Sequence, residues 1–423
     1  MSNEELRRLL VDAVPDVPAR PREMIEVAGG MVARRRMRRI AGTVLAAVVL
    51  AVSVPVWSSL RSEAGPHLAP PAAPESLDAP PGPALSDPAL GDPVLGDPAK
   101  PGTPSGAASR PASATPTLAQ RPGTPPGVRF DPTKIPAGSA GSAQLRVRQT
   151  GHRPPASDDG QGWFRTACLY SHMAPDDPVL HPGRPGSSYL NMFWGNTGTG
   201  ATSTAQSIAG SGNSTCKGGI ADRSAYWTPA VIDTATGAPL APRAISVYYQ
   251  NGYGGVRPEQ VVPLPAGLRM VAGNPSASGR QEHADWGCEN AYVRSATIPS
   301  CAVGDAVVLN LAFPQCWDGA ATGTPNFMRH MAYVTPGKGC PAGWKAIPEL
   351  HYHVYYPVLP GSDPTRWRLA SDVSAAQGGY AIAGGFSNGW RPELATVWTD
   401  SCVGKPASCS STLGDGRMID GDL

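Results

Sequence analysis

The sequence predicts a β-rich fold, all-β or α+β with a minor helical part, forming one sandwich-like, disulfide-stapled ectodomain behind a transmembrane helix and a disordered Pro-rich linker. Three observations predict it. All eight cysteines lie in the later part of the 423-residue chain. Short runs rich in β-branched and aromatic residues, punctuated by Gly, Pro and Asn, fill the same region without a sustained helical period. Far upstream, residues Ile40 to Trp57 form an unbroken uncharged run.

Taken in order, residues 1–39 form a cytoplasmic segment. Leu6, Leu9, Leu10 and Val14 recur at helical spacing until Pro15, Pro18 and Pro21 end the helix. Arg34, Arg35, Arg36, Arg38 and Arg39 then lead directly into the apolar run, predicted as a helix over 40–59. About eighteen residues at ~1.5 Å rise are just enough to cross a hydrocarbon core of ~30 Å, and the arginines hold the N-terminus inside. The leader before the run is nearly forty residues long, and Val54-Pro55-Val56-Trp57-Ser58-Ser59-Leu60 has no Ala-x-Ala site. A retained signal-anchor is therefore favoured over a cleaved signal peptide, with membrane lipid as the partner of a single helix.

Residues 60–144 repeat a five-residue phrase: Ala84-Leu85-Ser86-Asp87-Pro88, Ala89-Leu90-Gly91-Asp92-Pro93, Val94-Leu95-Gly96-Asp97-Pro98. Proline at this density blocks helices and ladders alike, so a solvated, extended stalk is predicted. About eighty such residues reach up to roughly 250 Å, enough to lift a domain into a cell wall.

The ectodomain is assigned to 145–423. Ala244 to Tyr249, Ala306 to Leu311 and His351 to Val358 have strand character, and short helical turns are expected near Thr204 to Ile208 and Pro392 to Asp400. Cys168, Cys216, Cys288, Cys301, Cys316, Cys340, Cys402 and Cys409 form an even set confined to the part predicted to be outside. That partition favours disulfides. Zinc competes, but no Cys-x2-Cys pair exists. Connectivity stays open, with sequential pairing the simplest scheme.

Net charge of +2 leaves no concentrated basic face apart from the membrane flank, which argues against nucleic acid as a partner. No Gly-x-Ser-x-Gly elbow, His-Glu-x-x-His helix or phosphate-binding loop is present. Candidate chemistry rests on weaker signals. His351 and His353 lie two apart on a predicted strand and so share a face, a spacing that can hold a divalent metal and equally suits a half-exposed strand. His172 with Asp176 and Asp177 could serve acid/base work, whereas Asp residues before Pro commonly form turns. Nine of the ten tryptophans fall in the ectodomain. Most suit a core, and one or two could stack on sugar rings.

Several phrases together resemble a known family. They are Asp176-Asp177-Pro178-Val179-Leu180, Phe193-Trp194-Gly195-Asn196-Thr197, Asp222-Arg223-Ser224-Ala225-Tyr226-Trp227, Phe313-Pro314-Gln315-Cys316-Trp317-Asp318-Gly319, His330-Met331-Ala332-Tyr333 and Phe386-Ser387-Asn388-Gly389-Trp390. In this order they resemble the secreted family called domain of unknown function 1996, over about residues 160–405. The resemblance implies a histidine-rich constellation whose matching positions here are Tyr189-Leu190-Asn191, Phe327 and Ala383-Gly384-Gly385. Of that set only His172 and His330 remain, which implies a degenerate site.

Two functions follow as expectations. The first is a membrane-anchored cell-envelope module binding polysaccharide, with Tyr189, Asn191, Trp194 and Trp390 as candidate ligand contacts. The alternative is a hydrolase or metal-dependent enzyme on cell-wall or extracellular polysaccharide, with His172, Asp176, Asp177 and His330 as catalytic candidates. No cofactor is expected under the first. His172 and Asp177 are further expected to meet His330 in one remnant pocket.

Overall fold

A computed structural model of the chain describes residues 127–421 apart from 253, 324–327 and 374–377. The helix at Leu6 to Val14, the arginine flank, the apolar run Ile40 to Trp57, the five-residue repeats and Phe327 lie outside the described residues. Among the described residues no helix is long and apolar enough to cross a membrane.

The strands are β1 (Val147–Gln149), β2 (Trp163–Cys168), β3 (Tyr170–Ala174), β4 (Asn191–Gly195), β5 (Ala225–Pro229) and β6 (Val231–Asp233). They continue as β7 (Ala238–Pro239), β8 (Ala244–Gln250), β9 (Arg269–Gly273), β10 (Ala284–Cys288), β11 (Ala291–Ser295) and β12 (Ala306–Ala312). The last are β13 (Cys316–Trp317), β14 (Met331–Ala332), β15 (Lys345–Ala346), β16 (Glu349–Pro357), β17 (Trp367–Leu369), β18 (Ala383–Ser387) and β19 (Arg417–Ile419). Two short helices, α1 (Ala205–Gly210) and α2 (Pro392–Trp398), fall where helical turns are expected. Thr204 and Ser207 form a capping box at the start of α1, and Pro392 opens α2 without wasting a backbone donor.

Two antiparallel sheets carry the fold. One has six strands in the order β11-β10-β12-β16-β8-β2, and the other five in the order β3-β4-β5-β18-β9. Along β16 burial alternates strictly, with Leu350, Tyr352, Val354 and Tyr356 inside, because successive side chains of a strand point to opposite faces. Tyr352 reaches across to the second sheet and donates to the Gly385 carbonyl at 2.9 Å. Its ring meets Tyr226 of β5 edge-on at 5.8 Å, so the two inner faces share one core, as in a sandwich.

Residues upstream of the boundary expected at residue 145 pack on the domain. Val128, Phe130 and Ile135 pack against the core, Asp131 N–H donates to the Gly237 carbonyl at 2.8 Å, and Ser139 N–H donates to that of Tyr170 at 2.8 Å. Apolar side chains scattered among prolines supply this anchoring, which proline density alone conceals.

Four disulfides join Cys168 to Cys216, Cys288 to Cys301, Cys316 to Cys340 and Cys402 to Cys409. Pairing is sequential throughout. These bridges are those of an extracytoplasmic domain.

Candidate functional site

The outer face of the five-stranded sheet and the loop that covers it collect four of the positions nominated from the sequence: His172, Asp176, Asp177 and Asn191. Register sets His172 opposite Phe193, Phe193 opposite Trp227, and Trp227 opposite Gly385. Asn191 and Ala383, each two residues along its strand, therefore share that face. Of the positions at which the resemblance implies histidines, Asn191, Ala383 and Gly385 meet here, but the space is filled. The Trp227 indole lies on the backbone of Gly385, where a Cβ would come within 2.1 Å of Trp227 Cε2 and Cζ2. A small apolar cluster of Phe193, Ile208, Ala225 and Trp227 closes over it.

Both candidate aspartates brace the covering loop. Asp176 accepts the N–H of Gly186 at 2.8 Å and of Ala201 at 3.1 Å. Asp177 Oδ1 accepts from Val179 and Leu180 at 2.8 and 2.7 Å, and Oδ2 accepts the Trp227 indole N–H at 2.9 Å. Burial pushes the Asp177 carboxyl above its usual range, against the pull of these bonds. Prolines and paired aspartates thus act here as turn formers.

His172 stacks on Phe193 at 4.9 Å. Its Nε2 lies 2.9 Å from the Thr199 carbonyl, which can only accept, so Nε2 carries the proton and Nδ1 accepts from Ser171 Oγ at 2.9 Å. Burial lowers its pKa, and the neutral ring has both nitrogens engaged. His330 Nε2 likewise donates to the Arg269 carbonyl at 2.8 Å, and burial lowers its pKa too.

The remnant pocket expected from the sequence does not form as one unit. Asp177 and His172 do approach each other through Phe193 and Trp227, whose rings are 6.1 Å apart. His330, however, sits at β9, the edge opposite β3. Four strand spacings of ~4.8 Å separate those edges by about 19 Å, because β18 enters between β5 and β9.

The proposed sugar contacts are also corrected. Trp194 is fully buried and Trp390 nearly so. Trp390 donates its indole N–H to Tyr249 Oη at 2.9 Å inside the core and packs edge-on against Phe164 at 5.6 Å. Neither ring presents a face to solvent. Tyr189 is buried beside Asp177, and burial raises its pKa. Asn191 is buried as well, donating to the Asp176 carbonyl at 2.9 Å.

A second constellation, on the outward face of the six-stranded sheet, was only half visible in the sequence. His351 and His353 do share that face. Asn310 Nδ2 donates to Asp285 Oδ1 at 2.9 Å, so its Oδ1 is an acceptor and His353 Nδ1 carries the proton it donates across 2.7 Å. Arg294 pairs with Asp285. Tyr248 meets the His353 ring edge-on at 5.3 Å, and Arg165 stands over Tyr248 at 5.7 Å. Each of the six strands thus contributes one residue to a polar chain: Arg294, Asp285, Asn310, His353, Tyr248, Arg165. Burial pushes the His353 pKa down to about 3, with the charges of His351, Arg294 and Arg165 adding to the effect. The imidazole is a neutral hydrogen-bonding group. His351 Nε2 contacts Gln250 Nε2 at 3.0 Å and lies 3.3 Å from Glu349. The metal reading gains no support. Among the described residues, the only groups of three potential ligands are built on the paired sulfurs of Cys168 and Cys216 with Asp222, and of Cys288 and Cys301 with Asp305. The signal for this face was period-two spacing: Trp163-x-Arg165, Ser246-x-Tyr248-x-Gln250 and His351-x-His353-x-Tyr355.

No curated protein and no solved structure matches the sequence. The family described as domain of unknown function (DUF1996) matches residues 177–390, just over half of the chain. The match spans both the filled outer face and most of the polar chain, and with the β-rich, disulfide-bonded architecture it shows that this chain belongs to the domain of unknown function 1996 family.

Proposed function

We propose that this chain is a membrane-anchored module of the cell envelope whose ectodomain binds polysaccharide without transforming it. One observation carries the non-catalytic reading: His172, His330, Asp176 and Asp177, the groups able to move protons, hydrogen-bond backbone groups of the loops and strands around them. A general acid or base needs a lone pair or proton aimed at substrate. Here Trp227 fills the face beside Asp177 and His172, and His330 is tied to the β9 backbone. Anchoring rests on the arginine flank, the apolar run and the stalk, and the binding role on the half-buried aromatic and polar side chains of the six-stranded sheet's outward face.

The test is retention of the full-length chain on insoluble glycans, with soluble sugar assayed in the same tubes. Retention without release supports the module. Release of soluble sugar would instead establish the hydrolase, and absence of retention on every glycan would remove the binding reading.

A further inference from the structure

The outward face of the six-stranded sheet holds a guanidinium without a counter-charge. Arg243 pairs with Glu289, and Arg294 with Asp285. Arg165 is different. It reaches only neutral oxygens, Tyr248 Oη at 3.5 Å and Ser410 Oγ at 3.4 Å, and no described carboxylate forms an ion pair with it. Arg165 is half-buried on β2, and its charge is felt by His353 and Tyr355. A partly desolvated cation with weak neutral partners is poised to gain from an incoming anion.

The groups around it are those that hold sugars. Trp163, half-buried, stands 5.7 Å from the Tyr248 ring, and aromatic faces stack on the apolar side of a pyranose. By register Arg165 faces Tyr248, Tyr248 faces His351, and Trp163 faces Gln250. The Gln250 amide and the His351 imidazole, with the Glu349 carboxylate 3.3 Å from that ring, supply hydrogen-bonding capacity beside the Arg165 charge.

We propose that this face binds an acidic glycan, Arg165 taking the carboxylate of a uronic acid residue and Trp163 stacking on a neighbouring ring. The proposal deepens the polysaccharide-binding reading above and rests on it. One guanidinium fork matches one planar carboxylate. A phosphate would leave tetrahedral oxygens without further cationic donors, since Arg243 and Arg294 are already paired.

Affinity electrophoresis of the full-length chain through polygalacturonate, its methyl ester, a polyphosphate and a neutral glucan tests this. Polygalacturonate should retard the wild-type chain most, and retardation should weaken with added salt. Arg165→Met should weaken binding to the acid polymer roughly tenfold or more and binding to the neutral glucan by a clearly smaller factor. Arg165→Lys, which keeps charge but loses the fork, should fall between them and serves if the Met variant does not fold. Equal retardation by acid and methyl ester, or undiminished acid binding by a natively folded Arg165→Met chain, overturns the uronate assignment and leaves polysaccharide binding standing. Preference for a phosphate polymer overturns it likewise. Retardation by none of the glycans removes both readings.

Discussion

Trp227 and Asp177, fifty positions apart, are joined by a 2.9 Å hydrogen bond from indole to carboxylate on the outer face of the five-stranded sheet. The bond fixes the ring that fills this face. It also gives the buried carboxylate one of its three donors. Asp177→Ala would strand the N–H groups of Val179, Leu180 and Trp227 together. Its expected cost is about 3 kcal/mol, since bonds to charged groups carry ~1.5–3 each and the site relaxes in part. Chemical denaturation measures it, and a change under ~0.5 kcal/mol, ordinary for a surface site, would show that the loop is not braced this way.

Gly385 is required by the same ring. Gly385→Ala should destabilise by roughly 1–3 kcal/mol through overpacking, because the added carbon meets the indole at 2.1 Å. Trp227→Phe in the same chain should shrink that penalty. A double-mutant cycle with no coupling would refute the contact.

Asp222 gives the core a pH dependence. It accepts from Tyr226 Oη at 2.6 Å, and Tyr226 in turn contacts Tyr249 Oη at 2.7 Å. Burial raises its pKa from 3.8 to about 6. Well below pH ~4 the group is protonated in folded and unfolded chains alike, so its folded state carries no penalty. As pH rises towards 6 the unfolded chain ionises first, and stability falls by about 3 kcal/mol, reached in full above the folded pKa. Asp177 and Asp372, also raised by burial, push in the same direction. Urea midpoints between pH 4 and 7 should therefore show a shallower decline in Asp222→Asn than in the wild-type chain; parallel profiles would contradict the assignment.

Alkylation of the denatured, unreduced chain should modify no cysteine. Replacing Cys316 and Cys340 together by Ser should cost ~2–5 kcal/mol, read from the shift in denaturation midpoint. Stoichiometric thiol labelling would disprove the four bridges.

Topology is tested with reporters that are active only outside the cytoplasm. Fusion before Ile40 should be silent, and fusion after Leu60 active. The reverse pattern would reject an N-in anchor.

The sheet scaffold was legible where local pattern suffices. Alternation from His351 to Val358 and the β-branched run at Ala306 to Leu311 set strands that the tertiary structure had no reason to override. Trp194 and Trp390 were not legible as core residues, because a large aromatic looks the same in a sequence whether it packs inside or lies open on a platform. The distance between His172 and His330 depends on β18 inserting between β5 and β9, a strand order that no local spacing encodes. The six-residue polar chain was hidden for a similar reason. Its members run from position 165 to position 353, one from each strand, and only His353 stood out alone.

The disulfide bridges close sequence intervals of 48, 13, 24 and 7 residues, and none encloses or crosses another. A chain threaded outward from its N-terminal end would expose both partners of each bridge before the first cysteine of the next emerges. Oxidation in order of emergence yields the native pairing without reshuffling. Export and covalent maturation can therefore proceed as one vectorial process, with mispairing disfavoured by the timetable of translocation itself.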